Sequence, residues 1–164
     1  MIAPPATLPY SVSSMHLRSG RPMLFVYAQA RCSFSELAST AAPVLGELQR
    51  AIASGRIRPA GAPLFIYHDP SEDPDKTFDM EIGVPVREAG APPAGFAVRQ
   101  LPAFHCATLL YRGPMRLLNK AYEKLLPEMI NAGLVPSVEM REEYLVWESP
   151  QSAGNVVQIE AGIR

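Results

Sequence analysis

Apolar and polar positions along the chain follow two recurrent patterns, one of period two and one of period 3.6 residues. Residues 10–17 and 22–32, rich in Tyr, Val, Phe and Leu, read as extended and are separated by the turn Arg18-Ser19-Gly20-Arg21. From Leu37 the apolar positions Leu37, Ala41, Val44, Leu45, Leu48 and Ile52 form a helical stripe that stops at Ser54-Gly55. Pro43 lies inside this stripe, so it either kinks the helix or occupies its first turn with Ser39 or Thr40 near the cap. Residues 64–67 and 78–86 read as strands around an acidic, proline-bearing loop over 68–75, and 89–95 as a linker. Residues 96–111 read as extended up to the turn Gly113-Pro114. Leu118, Ala121, Tyr122, Leu125 and Met129 then mark a second amphipathic helix ending near Gly133, and 137–147 and 156–163 close the chain as strands.

The two halves match. Tyr27-Ala28-Gln29-Ala30-Arg31 parallels Thr108-Leu109-Leu110-Tyr111-Arg112, and Met80-Glu81-Ile82 parallels Val157-Gln158-Ile159. Phe65 and Tyr67 correspond to Glu142 and Tyr144 at a constant displacement of 77 residues. The pattern predicts an α+β fold made of a duplicated strand-helix-strand-strand unit: two antiparallel concave sheets with two helices around a central pocket. Residues 1–9 are expected to form a loose tail and 10–164 a single domain, with repeats over about 10–88 and 96–164. The sheet faces not covered by a helix are expected to meet across a cleft.

Composition narrows the class. Of 164 residues, 48% are apolar and 19% charged, with a mean hydropathy of +0.02, as in a globular chain with a generous core. A net charge of −1 and a pI near 6.3 supply no basic face, so no direct nucleic-acid binding by this chain is expected. No apolar run approaches the roughly 18 residues of a membrane span. The tail carries three prolines and no signal-peptide pattern, which makes the cytoplasm the default location. Cys32 and Cys106 read as buried thiols.

Candidate chemistry concentrates in Arg141-Glu142-Glu143-Tyr144-Leu145. Period two points Glu142 and Tyr144 to one strand face and Arg141, Glu143 and Leu145 to the other. The corresponding face of the first half carries Phe65 and Tyr67, so a duplicated fold brings aromatic rings beside one carboxylate. Such a carboxylate is costly to ionise and its pKa should rise in the empty pocket; a cationic ligand relieves that cost, with cation–π attraction of roughly 0.5 to 2 kcal/mol per ring. The competing reading of Glu142 is a solvated strand-face carboxylate paired with Arg or Lys, and that of Tyr67, Tyr111 and Tyr144 is core packing. By parity Trp147 faces away from Glu142 unless a bulge shifts it. His105-Cys106 points to opposite faces and has no third ligand at chelating spacing, so no metal or cofactor is expected.

Several segments resemble one family in order and spacing: Phe65-Ile66-Tyr67-His68-Asp69-Pro70, Glu81-Ile82-Gly83-Val84-Pro85-Val86, Leu101-Pro102-Ala103, Tyr111-Arg112-Gly113-Pro114, Ala121-Tyr122-Glu123-Lys124-Leu125, Arg141-Glu142-Glu143-Tyr144-Leu145 and Gln158-Ile159. With them the chain resembles the GyrI-like, or AraC-type effector-binding, domains of multidrug-sensing regulators, which also occur alone. The resemblance implies a pocket centred on Glu142 for an apolar, perhaps cationic, small molecule, with Tyr144, Tyr67, Phe65 and Tyr111 as further ligand-binding residues. It also implies a regulatory protein partner for a module without its own DNA-binding element. The alternative it carries is a hydrolase that opens strained electrophilic rings, with Glu142 as general base.

Overall fold

The computed structural model describes residues 8–164, so the expected tail lies outside the described residues as far as residue 7. In chain order the elements are β1 (Ser11–Val12), β2 (His16–Gly20), β3 (Met23–Cys32), α1 (Leu37–Ala53), β4 (Leu64–His68), β5 (Phe78–Val86), β6 (Ala97–Leu101), β7 (Phe104–Arg112), α2 (Asn119–Asn131), β8 (Pro136–Val146) and β9 (Val156–Ile163). The strands form one antiparallel nine-stranded sheet in the order β1-β7-β9-β8-β4-β5-β3-β6, with β2 also paired to β7. The sheets of the two halves, β3-β5-β4 and β7-β9-β8, run together edge to edge through β4 and β8.

Two strand boundaries differ from the sequence reading. Residues 96–111 are not continuous: Pro102-Ala103 breaks them into β6, which pairs with β3, and β7, which pairs with β9. Proline cannot donate to a ladder, and here it lets the chain leave one half of the sheet for the other. The turn expected over Arg18–Arg21 shrinks to Arg21-Pro22, because Arg18, Ser19 and Gly20 are captured by Cys106, His105 and Phe104 of β7. That pairing is tertiary and invisible to local turn composition.

The registers of the halves are displaced copies of each other. The β4–β5 pair Phe65↔Ile82 recurs in β8–β9 as Glu142↔Ile159, 77 residues on in both strands. The β3–β6 pair Met23↔Leu101 and the β7–β2 pair Phe104↔Gly20 correspond by an exchange between the halves, Met23 matching Phe104 and Gly20 matching Leu101, so each half supplies an edge strand to the other. Phe65 and Glu142 lie directly opposite each other where the halves meet.

Both helices cover the same sheet face. Ala41, Leu48 and Ala51 of α1 are buried, as are Ala121, Leu125 and Met129 of α2. The α2 side packs on Leu109, Tyr111, Val157 and Ile159, and the α1 side on Phe65, Tyr67, Met80 and Ile82. Pro43 sits within α1 and Pro127 within α2, both on exposed faces where the displaced backbone carbonyl meets water. Gly55 (φ 76°) and Gly133 (φ 75°) end the two helices in the left-handed conformation. The opposite face carries a smaller cluster of Phe25, Leu64, Ile66 and Leu101, and beside it a small cavity lined by charged residues.

Candidate functional site

Glu142 stands at the centre of the helix-bearing face, 3% exposed. Three phenols donate to its carboxylate: Tyr67 to Oε2 at 2.9 Å, Tyr144 to Oε2 at 2.6 Å and Tyr122 to Oε1 at 2.6 Å. Period two in β8 places Tyr144 beside Glu142, and the β4–β8 register brings Tyr67 diagonally across. Phe65 completes the wall, its ring 4.8 Å from that of Tyr144 and 6.5 Å from that of Tyr67. Burial, and after it the adjacent Glu142 charge, pushes the phenols of Tyr67, Tyr122 and Tyr144 well above their usual range, so all three remain protonated donors.

The buried glutamates are served differently. Glu81 receives a two-pronged Arg99 guanidinium at 2.6 and 2.7 Å and His68 Nε2 at 2.7 Å. Glu160 receives Arg18 at 3.2 Å. Glu142, among the described residues, has neutral phenols as its partners and no Lys, Arg or His. Its charge is solvated by hydrogen bonds but not neutralised.

Of the residues singled out in the sequence, Glu142, Tyr144, Tyr67 and Phe65 come together. Tyr111 does not join their hydrogen bonds: its hydroxyl donates to the Pro114 carbonyl, its ring stacks on Tyr10, and it is buried in the α2-side core. Tyr122 reaches Glu142 from α2 although the sequence reading, which placed it on the helix stripe and in a family-like segment, gave it no part in the site. A polar-tipped ring amid Leu118, Ala121, Leu125 and Met129 was the available signal, since a stripe facing the sheet aims that hydroxyl at it. Trp147 is the exception allowed for above: a register shift between Tyr144 and Val146 turns it to the Glu142 side, where its ring stands 6.0 Å from Tyr144.

The family model described as the GyrI-like small molecule binding domain matches residues 18–150. The chain belongs to this family. No curated protein matches it by sequence. The GyrI-like domain is similar in structure to the EcmrR C-terminal domain at 20% identity and a TM-score of 0.73, covering 96% of this chain and 99% of that one. It spans 58% of the longer EcmrR chain seen in a complex with DNA. SAV2435 bound to tetraphenylphosphonium is similar at 13% identity and a TM-score of 0.66, covering 93% and 94% of the two chains. A hydrolase from Listeria innocua is similar at 11% identity and a TM-score of 0.65, covering 92% and 91%.

The GyrI-like domain's other titratable groups lie apart from Glu142. His105 and Cys106 do face opposite ways: His105 Nδ1 is 2.7 Å from Ser19 Oγ on the exposed side, while Cys106 is buried and lines the back-face cavity with Arg18, Arg141 and Glu160. Burial, and then the Glu160 charge, pushes the Cys106 thiol up to about 11, which keeps it protonated. Cys32 and Cys106 are both free thiols. Among the described residues, no group of three or more His, Cys, Asp and Glu side chains is placed to hold a metal ion, and no helix is long and apolar enough to cross a membrane.

Glu81 and Glu160 titrate in opposite directions. Burial raises both, but in Glu81 the hydrogen bonds and charges of Arg99 and His68 outweigh it and hold the carboxyl below its usual range. In Glu160 burial prevails over Arg18 and the carboxyl is raised. A raised folded-state pKa contributes stability below the unfolded value that is lost as pH rises through the folded value. Glu160→Gln is therefore expected to be relatively more stable than wild type at pH 7 than at pH 4, as read from thermal melts at the two pH values.

Proposed function

We propose that the Glu142 site binds an apolar organic cation. The observation that supports this most directly is a carboxylate buried among Phe65, Tyr67, Tyr122 and Tyr144 with no cationic side chain on it. A positive ligand supplies the missing counter-charge in a low-dielectric setting, and the rings attract it through their faces. The phenols that donate to Glu142 are the groups such a cation displaces or shares. SAV2435, similar in fold, is seen bound to tetraphenylphosphonium, a ligand of this chemistry. The matching strand registers of the two halves support the duplication behind the site, with its centre at the Phe65–Glu142 pair. Calorimetric titration with tetraphenylphosphonium and with neutral triphenylphosphine oxide tests the reading: the cation is expected to bind at least 10-fold tighter, and equal affinities would sink it.

By the same reading the domain acts as a cytoplasmic sensor or sequestering module, relaying occupancy through a regulatory protein partner. EcmrR, with a similar C-terminal domain, is seen on DNA, and this sets the precedent. A second reading is hydrolysis of a strained, electrophilic ring with Glu142 as general base on water. The three phenols take three of the roughly four lone-pair sites of the carboxylate, and this reading requires a water on the fourth. Glu142-dependent product, followed by mass spectrometry with a cyclopropane-bearing electrophile, would favour it.

A further inference from the structure

We infer that Trp147 is a further ligand-contacting residue, receiving the aromatic body of a cation whose charge meets Glu142; this rests on the binding reading above. The placement of Trp147 has a definite cause. Tyr144 pairs with Val157 and Val146 with Val156, so β8 carries one extra residue between them and the strand's alternation reverses. Without that bulge the indole would project to the back face. With it, the ring meets Tyr144 edge-on, and the Tyr144 hydroxyl is the one that donates to Glu142.

The indole is held but not covered. Directly after it, the Glu148 amide donates to Asn155 Oδ1 at 2.8 Å and Asn155 Nδ2 donates to the Ser149 carbonyl at 2.7 Å, with Asn155 wholly buried. The backbone is tied after the ring by these bonds and before it by the Val146↔Val156 pair, while the ring itself remains 50% exposed. Half of this large apolar ring is left in water, where burial would stabilise the fold. Trp147 also ends a row of rings running Phe34, Tyr67, Phe65, Tyr144, Trp147, with neighbouring centroids 4.8 to 6.5 Å apart. Phe34, at the other end, is likewise exposed. The cation–π contacts among the described residues place Arg99 over Tyr27 and Arg141 over Phe104, not over the indole.

Trp147 is the only tryptophan in the chain, so its emission reports on the site directly. Tetraphenylphosphonium is titrated into wild type, Trp147→Ala, Trp147→Phe and Glu142→Gln, with affinities from calorimetry and indole emission followed in wild type. Trp147→Ala is expected to weaken binding about 2- to 12-fold, the span of one ring–ring contact. Trp147→Phe should restore affinity to within about threefold of wild type, and wild-type emission should change along the calorimetric isotherm. Wild-type affinity in Trp147→Ala, an equal loss in both Trp147 variants, or unchanged emission would overturn the inference while the Glu142 site stood. No binding to wild type, or binding that Glu142→Gln leaves intact, would overturn the site reading and the inference with it.

Discussion

Glu142→Gln is expected to weaken binding of tetraphenylphosphonium by about 100-fold, ~3 kcal/mol, while leaving the ligand-free fold within about 1 kcal/mol of wild type. The two halves of that expectation have one cause. Among the described residues the carboxylate is a buried group held by the hydroxyls of Tyr67, Tyr122 and Tyr144. An amide of the same shape keeps an accepting oxygen for Tyr67 and Tyr144, and offers a donor to the Tyr122 oxygen. The variant loses charge-assisted hydrogen bonds but also escapes the desolvation of an unpaired ion, and these terms oppose each other. With a cation bound there is no such offset, because the full ion pair in a dry site is gone. Calorimetry for affinity and urea denaturation for stability measure both. A variant that unfolds would show that Glu142 holds the fold together, and that its phenol partners are structural.

Gly83→Ala is expected to destabilise the domain by about 3 kcal/mol or more, read as a fall in the urea midpoint. A methyl on Gly83 would meet the Val26 carbonyl oxygen at 1.9 Å, with Tyr27 Cα and Cβ at 2.8 and 2.9 Å. These are mostly backbone atoms of β3, which is paired on one side to β5 and on the other to β6 and cannot yield. The space Gly83 leaves lets Tyr27 lie where it stacks on Phe25 at 5.6 Å and supports Arg99, the partner of Glu81. In the other half the displaced pair is Thr108 with Glu160, a smaller residue facing a larger one. A loss below about 1 kcal/mol would mean that the β3–β5 ladder is looser than its register indicates.

Much of this was legible in the sequence because it depends on local period. The spans Phe78–Val86 and Val156–Ile163, both helical stripes and the Gly55 and Gly133 stops follow from alternation, from 3.6-residue spacing and from glycine's freedom at positive φ. Glu142, Tyr144, Phe65 and Tyr67 were found together because parity fixed their faces and the 77-residue displacement set β4 against β8. What escaped was set by tertiary pairing. Capture of Arg18–Gly20 by β7 and the crossing of the chain at Pro102 are contacts between halves, and turn composition carries no trace of them. Tyr122 needed the rotation of α2 about its axis, and Trp147 a single inserted residue in β8. Tyr111 shares the sheet face of Glu142 but lies across β9 from it in β7, where its hydroxyl closes on Pro114 instead.

The most direct test of the Glu142 site is a thermodynamic cycle: tetraphenylphosphonium and neutral triphenylphosphine oxide, each titrated into wild type and Glu142→Gln under one set of conditions. A cation-binding carboxylate predicts that the substitution weakens the phosphonium by about 100-fold and the neutral ligand by less than about threefold, a coupling of ~2 kcal/mol or more. Equal losses for the two ligands, or none for either, would contradict it and leave Glu142 with a structural role.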